Sequence, residues 1–104
     1  MASLVSFYTA DRKGLSFELF PPKTEKGDIA LLKHVERLSE FKPDYITCTY
    51  GAGGSTRGKT LDIVSAVKQQ FDVPVASHLT CVGSTREDLR QYLNDVERRD
   101  IDFI

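Results

Sequence analysis

The stretch Ser16-Phe17-Glu18-Leu19-Phe20-Pro21-Pro22 decides how this chain is read. It is short and aromatic, and it stops at two prolines that cannot donate to a sheet ladder. Ser16 to Phe20 is therefore predicted to be a strand, with the prolines opening a loop. Working outward, Asp28 is a candidate cap for a helix whose apolar positions Leu31, Leu32, Val35 and Leu38 share one face, and Pro43 forbids its continuation. The same succession then recurs. Tyr45 to Tyr50 is β-branched and aromatic, Gly51 to Gly58 is glycine-rich, and Ile63, Val64, Val67 and Phe71 mark a second helix ending near Pro74. Val75 to Thr80 follows as a third strand. Ser84 with Glu87 has the form of a capping box, and Leu89, Tyr92, Leu93 and Val96 supply the buried stripe of a third helix. Ile101 to Ile104 reads as the start of a fourth strand.

Units of about thirty residues are the size of a βα repeat whose successive strands lie parallel in one sheet. Side chains alternate across a strand, so Ser16 and Glu18 share a face, as do Thr47 and Thr49, and Ala76, His78 and Thr80. The opposite faces carry Phe17 with Leu19, Ile46 with Cys48, and Val75 with Leu79. An open doubly wound sheet meets helices on both sides and needs two apolar faces, whereas these strands have one. The fold class this predicts is α/β, the amino-terminal portion of a (β/α)8 TIM barrel, with about three βα units plus the start of a fourth strand. The polar face should then point inward, placing Glu18, Thr49 and His78 at the carboxyl ends where such barrels keep their active sites. Closing a barrel takes about 250 residues. Residues 1–104 are accordingly expected to be a single partial domain, truncated at its carboxyl end.

Composition narrows the function classes. A chain of 104 residues that is 40% hydrophobic, with a net charge of -1, has the makings of one modest core and lacks the basic balance of a nucleic-acid binder. No run is long enough to cross a bilayer, and Met1 to Lys13 lacks the form of a secretory signal, so no membrane partner and a cytoplasmic location are expected. Cys48 and Cys81 lie in apolar segments and are expected to be small buried thiols rather than a disulfide. His34, on a helix rich in charge, is expected to be solvated. With only His34 and His78 as imidazoles, no metal site is expected.

Glu18 is the sharpest single feature, a lone carboxylate among Phe17, Leu19 and Phe20. Desolvation there would raise its pKa and suit it to act as a general acid, while a structural pairing with a lysine or arginine is the competing reading. His78 is either a ligand-contacting imidazole or a satisfied core histidine. Residues Gly53 to Thr60 match the phosphate-binding P-loop pattern, with Lys59 and Thr60 at its end. A nucleotide hydrolase also needs an acidic residue at a strand end to hold magnesium, and neither Thr49 nor His78 provides one, which favours a plain glycine-rich βα loop. The arginines and carboxylates from Arg86 to Arg99 read as the solvated face of the third helix.

Three stretches carry a resemblance: Ser16-Phe17-Glu18-Leu19-Phe20-Pro21-Pro22-Lys23-Thr24, Thr47-Cys48-Thr49-Tyr50-Gly51-Ala52-Gly53-Gly54-Ser55-Thr56-Arg57, and Ser77-His78-Leu79-Thr80-Cys81. In order and spacing, from about Leu15 onward, the chain closely resembles methylenetetrahydrofolate reductase of the bacterial type. The resemblance implies an FAD enzyme of one-carbon metabolism and methionine biosynthesis. It would reduce 5,10-methylenetetrahydrofolate to 5-methyltetrahydrofolate with electrons from NAD(P)H, and its loop would match the P-loop only by chance. By motif position Glu18 resembles the acid that protonates the folate, Thr49 a residue beside flavin and nicotinamide, and Tyr50, Ala52 and His78 positions that contact FAD. In the family the fourth strand leads into an Arg-Gly-Asp loop, and the sequence stops at Ile104. The expectation is that this chain alone is inactive. Its unpaired strand edge invites a homo-oligomer, and the alternative function is a non-catalytic βα module that acts by self-association or partner binding.

Overall fold

Each repeat couples a run of residues suited to pairing with a polar residue suited to starting a helix. In the computed structural model, which describes residues 3–50 and 57–104 with the side chain of Arg57 excepted, the repeats form three βα units. They are β1 (Ser16–Leu19), α1 (Glu25–Ser39), β2 (Tyr45–Cys48), α2 (Arg57–Phe71), β3 (Val75–Ser77) and α3 (Arg86–Arg98), after a 3-10 turn at Leu4–Phe7. Every strand is shorter than its sequence suggests. Pairing ends together at Leu19, Cys48 and Ser77, so Phe20, Thr49 and Tyr50, and His78 to Thr80 lie beyond the ladder, where the chain turns into the loops.

Two helix starts differ from the sequence reading. The cap of α1 is Thr24, not Asp28: its hydroxyl accepts from the Gly27 amide at 3.0 Å. Asp28 instead sits in the first turn, where a negative charge favours the positive end of the helix. Gly27 is required there, since a Cβ would come within 2.8 Å of Pro22 Cβ. The capping box of α3 is Thr85 with Asp88, one residue later than Ser84 and Glu87. The Asp88 amide donates to Thr85 Oγ1 at 3.1 Å and the Thr85 amide to Asp88 Oδ2 at 2.9 Å. The chain leaves each helix through a left-handed residue, Lys42 after α1, Asp72 after α2 and Asp100 after α3.

The sheet has the order β1-β2-β3, all parallel, with Glu18 level with Thr47 and Thr47 level with Ala76. Beyond α3, the Phe103 amide donates to Val75 O and the Ser77 amide to Phe103 O, both at 3.1 Å, the first rung of a further parallel pairing beside β3. The core lies on one face of the sheet. Leu19, Ile46, Cys48 and Val75 meet Val35 of α1, Leu61, Val64 and Val67 of α2, and Tyr92 and Val96 of α3, with Phe17, Leu31, Leu32, Leu38, Phe71 and Leu79 around the margin. Leu93, expected in the buried stripe, is exposed, because it stands one step around the helix from Tyr92 at the edge of that face. Cys48 is buried as expected, but Cys81 is exposed, since it falls in the turn after β3 with a φ of 64° and not in the strand. His34 is exposed on α1.

The other face carries no α-helix among the described residues. Its amino end is floored by aromatic side chains. Phe7 stacks on Tyr45 at 5.7 Å between ring centres, and Phe103 meets both edge-on at 6.1 and 6.2 Å. The Tyr8 and Tyr45 hydroxyls are bonded at 2.6 Å, and Arg12 lies over the Phe7 ring while pairing with Asp44.

Candidate functional site

The open face turns polar toward the carboxyl ends of the strands, as the alternation of side chains predicts. Glu18 projects there because its neighbours Phe17 and Leu19 are taken up by the core side. Thr47 projects beside it from β2. His78 stands just past the end of β3, its amide donating to Cys48 O at 3.1 Å. From that position the imidazole reaches both neighbours: Nε2 is 2.9 Å from Thr47 Oγ1 and 3.3 Å from Glu18 Oε1. Three adjacent strands thus contribute a carboxyl, a hydroxyl and an imidazole to one contact.

The side chains of Glu18 and His78 are 50% and 41% exposed. The desolvation argued for Glu18 from its aromatic flanks is therefore not delivered by these three strands. The partner that sequence reasoning sought among lysines and arginines is a histidine, bound through a nitrogen that also meets a hydroxyl. A hydroxyl, an imidazole and a carboxyl on an accessible sheet end form a set of hydrogen-bond donors and acceptors open to a ligand.

Thr49 lies two positions past Thr47. Its amide donates to Leu19 O at 3.0 Å and its carbonyl accepts from Thr60 Oγ1 at 2.8 Å; the contact between Glu18, Thr47 and His78 does not include it. Tyr50 is buried, its ring 6.2 Å from that of Tyr92 and its hydroxyl accepting from the Thr80 amide at 2.5 Å. Ala52 lies outside the described residues. Thr47 was missed as a candidate, although its shared face with Thr49 and its position level with Glu18 were the available signals.

The residues that complete the P-loop pattern are occupied elsewhere. Lys59 donates to the Pro22 carbonyl and pairs with Asp28 at 3.2 Å, tying α2 to the loop after β1, while the fully buried Thr60 bonds Thr49 O. Both end groups are thus bonded to carbonyls of the strand-end loops.

Parallel strands with chemistry gathered at their carboxyl ends define an α/β protein of the kind that works on ligands at that end of the sheet. Sequence comparison makes the class specific. The profile of the methylenetetrahydrofolate reductase family matches residues 4–104. The 5,10-methylenetetrahydrofolate reductase of Pectobacterium carotovorum is 38% identical over 84 residues, covering 81% of this chain and 28% of that protein. The Salmonella typhimurium enzyme of the same name is 37% identical over 81 residues, 78% of this chain and 27% of its own length. A plant relative, methylenetetrahydrofolate reductase (NADH) 1 of Arabidopsis thaliana, is 38% identical over 86 residues, 83% of this chain and 14% of its own. The chain belongs to the methylenetetrahydrofolate reductase family, whose members are oxidoreductases, and it spans little more than a quarter of the length of these bacterial relatives. Among the described residues no helix is long and apolar enough to cross a membrane.

Proposed function

We propose that this chain carries the proton-handling part of an enzyme that reduces 5,10-methylenetetrahydrofolate to 5-methyltetrahydrofolate with NAD(P)H. The observation behind this reading is the meeting of Glu18, Thr47 and His78 at one end of a parallel sheet, in a chain of this family. Glu18 holds a proton at its carboxyl and gives it to the folate, so that the five-membered ring opens to an iminium ion that accepts hydride. Once the proton has left, the His78 ring stands with Nε2 3.3 Å from the remaining carboxylate, and Thr47 limits the swing of that ring. Carrying hydride between nicotinamide and folate is the chemistry that FAD supplies when bound. On this chain Tyr50, Ala52 and His78 would contact the flavin, and Thr49 would lie beside flavin and nicotinamide.

The sheet end belongs in this reading to a (β/α)8 barrel, in which further strands cover the open face and remove Glu18 from water. That is the step that would suit its carboxyl to the role of acid. Glu18→Gln in the full-length protein tests the assignment. Folate reduction should fall by about a hundredfold or more, with bound flavin still reduced by the nicotinamide. Undiminished folate reduction with flavin retained would remove Glu18 from the mechanism.

A further inference from the structure

Past the His78 amide, which donates to Cys48 O, the backbone of residues 78–80 is held by two tyrosines. Tyr92, from the buried face of α3, donates its hydroxyl to the His78 carbonyl at 3.2 Å, and the same hydroxyl is 2.5 Å from Ser77 Oγ. The Ser77 hydroxyl is itself within 3.4 Å of the His78 carbonyl, so the three oxygens form a closed triangle in the core. Ser77 and Tyr92 are 1% and 3% exposed, which keeps water from substituting for either group. Two residues on, the Thr80 amide donates to Tyr50, whose ring packs against Tyr92.

His78 is therefore held from three elements, β1, β2 and α3. Its amide is held by β2 at Cys48, its carbonyl by α3 at Tyr92, and its ring by Thr47 and Glu18. The sequence reads Tyr92 as core packing alone, yet a phenylalanine would fill that space equally well. What the hydroxyl adds is a bond to the residue that touches Glu18.

We propose that Tyr92 is a positioning residue, acting through the His78 carbonyl to set the imidazole against Glu18. This rests on the reading of Glu18 as the acid. A buried hydroxyl bonded to a carbonyl resists displacement, because letting go leaves both groups unsatisfied. Without it the residues after β3 have one tie fewer, and the ring is free to leave Thr47 and Glu18.

The test is a cycle of Tyr92→Phe, His78→Ala and the double variant in the full-length protein, with Ser77→Ala as a second way to break the triangle. Steady-state folate reduction is measured beside thermal melting and the nuclear Overhauser contact between the His78 ring and the Thr47 methyl. Tyr92→Phe should lower kcat between about two- and tenfold with KM little changed, weaken that contact, and cost nothing more once His78 is alanine. Ser77→Ala should do the same to a smaller degree. A lowered melting temperature with kcat and the Overhauser contact unmoved, or full additivity with His78→Ala, would overturn the proposal. Glu18→Gln run alongside separates the two ideas: activity surviving that change removes the acid, whereas the Overhauser contact reports on Tyr92 and His78 whatever the acid is.

Discussion

Cys48 and Glu18 occupy adjacent strands on opposite sides of one sheet, and the contrast between them follows from which side each faces. The Cys48 side chain is fully enclosed, and burial, followed by the nearby Glu18 charge, pushes its thiol up to about 12. A thiol so far from ionised, and so far from solvent, is inert. Cys81 is exposed in the turn after β3. A disulfide reagent added to the native protein should modify Cys81 promptly and Cys48 only after denaturant is added; equal rates for both would contradict the packing of β2. Glu18, by contrast, keeps half its side chain in solvent and a histidine beside it.

The elements are started by caps and stopped by backbone geometry, and these differ in how plainly a sequence announces them. Thr85→Ala removes one half of the capping box on α3 and should cost about 1 kcal/mol of stability, read as a lower urea midpoint with an unchanged slope. Ser84 and Thr85 are both good caps, and so are Glu87 and Asp88 as partners. The sequence thus offered two boxes one residue apart, and the packing of Tyr92 and Val96 against the sheet settles which one forms. Thr24 was harder to see because it follows a diproline loop whose geometry places Gly27 against Pro22. The parallel sense and the segregation of polar from apolar faces were legible, the first from the repeated βα units and the second from the alternation of side chains along each strand. The bond from Thr47 to His78 was not, because it depends on where β3 stops, and strands stop where their partners do. Among the helix exits, Asp72 and Asp100 are short polar residues that tolerate a left-handed backbone, whereas Lys42 gives no such signal.

At the scale of the molecule, the last segment is clasped to the sheet by charge. Lys68 of α2 donates to the Asp100 carbonyl and pairs with Asp100 at 3.3 Å and Asp102 at 3.1 Å, while Asp102 accepts from the Val75 amide at 2.9 Å. Burial alone would lower the pKa of Lys68, but the hydrogen bonds and charges of Asp102 and Asp100 outweigh it and raise the value above 10.5. A cation held more firmly in the folded state contributes stability that is fully present below the ordinary lysine value and lost as pH climbs through the raised one. Lys68→Met should therefore melt below the parent near neutral pH, and the gap should narrow in melts above about pH 10.5. A gap that stayed constant with pH would mean that the contribution is packing of the aliphatic stem.

Each strand pairs with the one made just before it, and the contact between Glu18, Thr47 and His78 closes without any long return of the chain. On a ribosome, where residues emerge from the amino end in single file, that order matters. The carboxylate comes out first, the hydroxyl joins it with the second strand, the imidazole with the third, and Tyr92 locks the arrangement with the helix after that. The most exacting geometry of the sheet can assemble during synthesis, one nascent strand at a time.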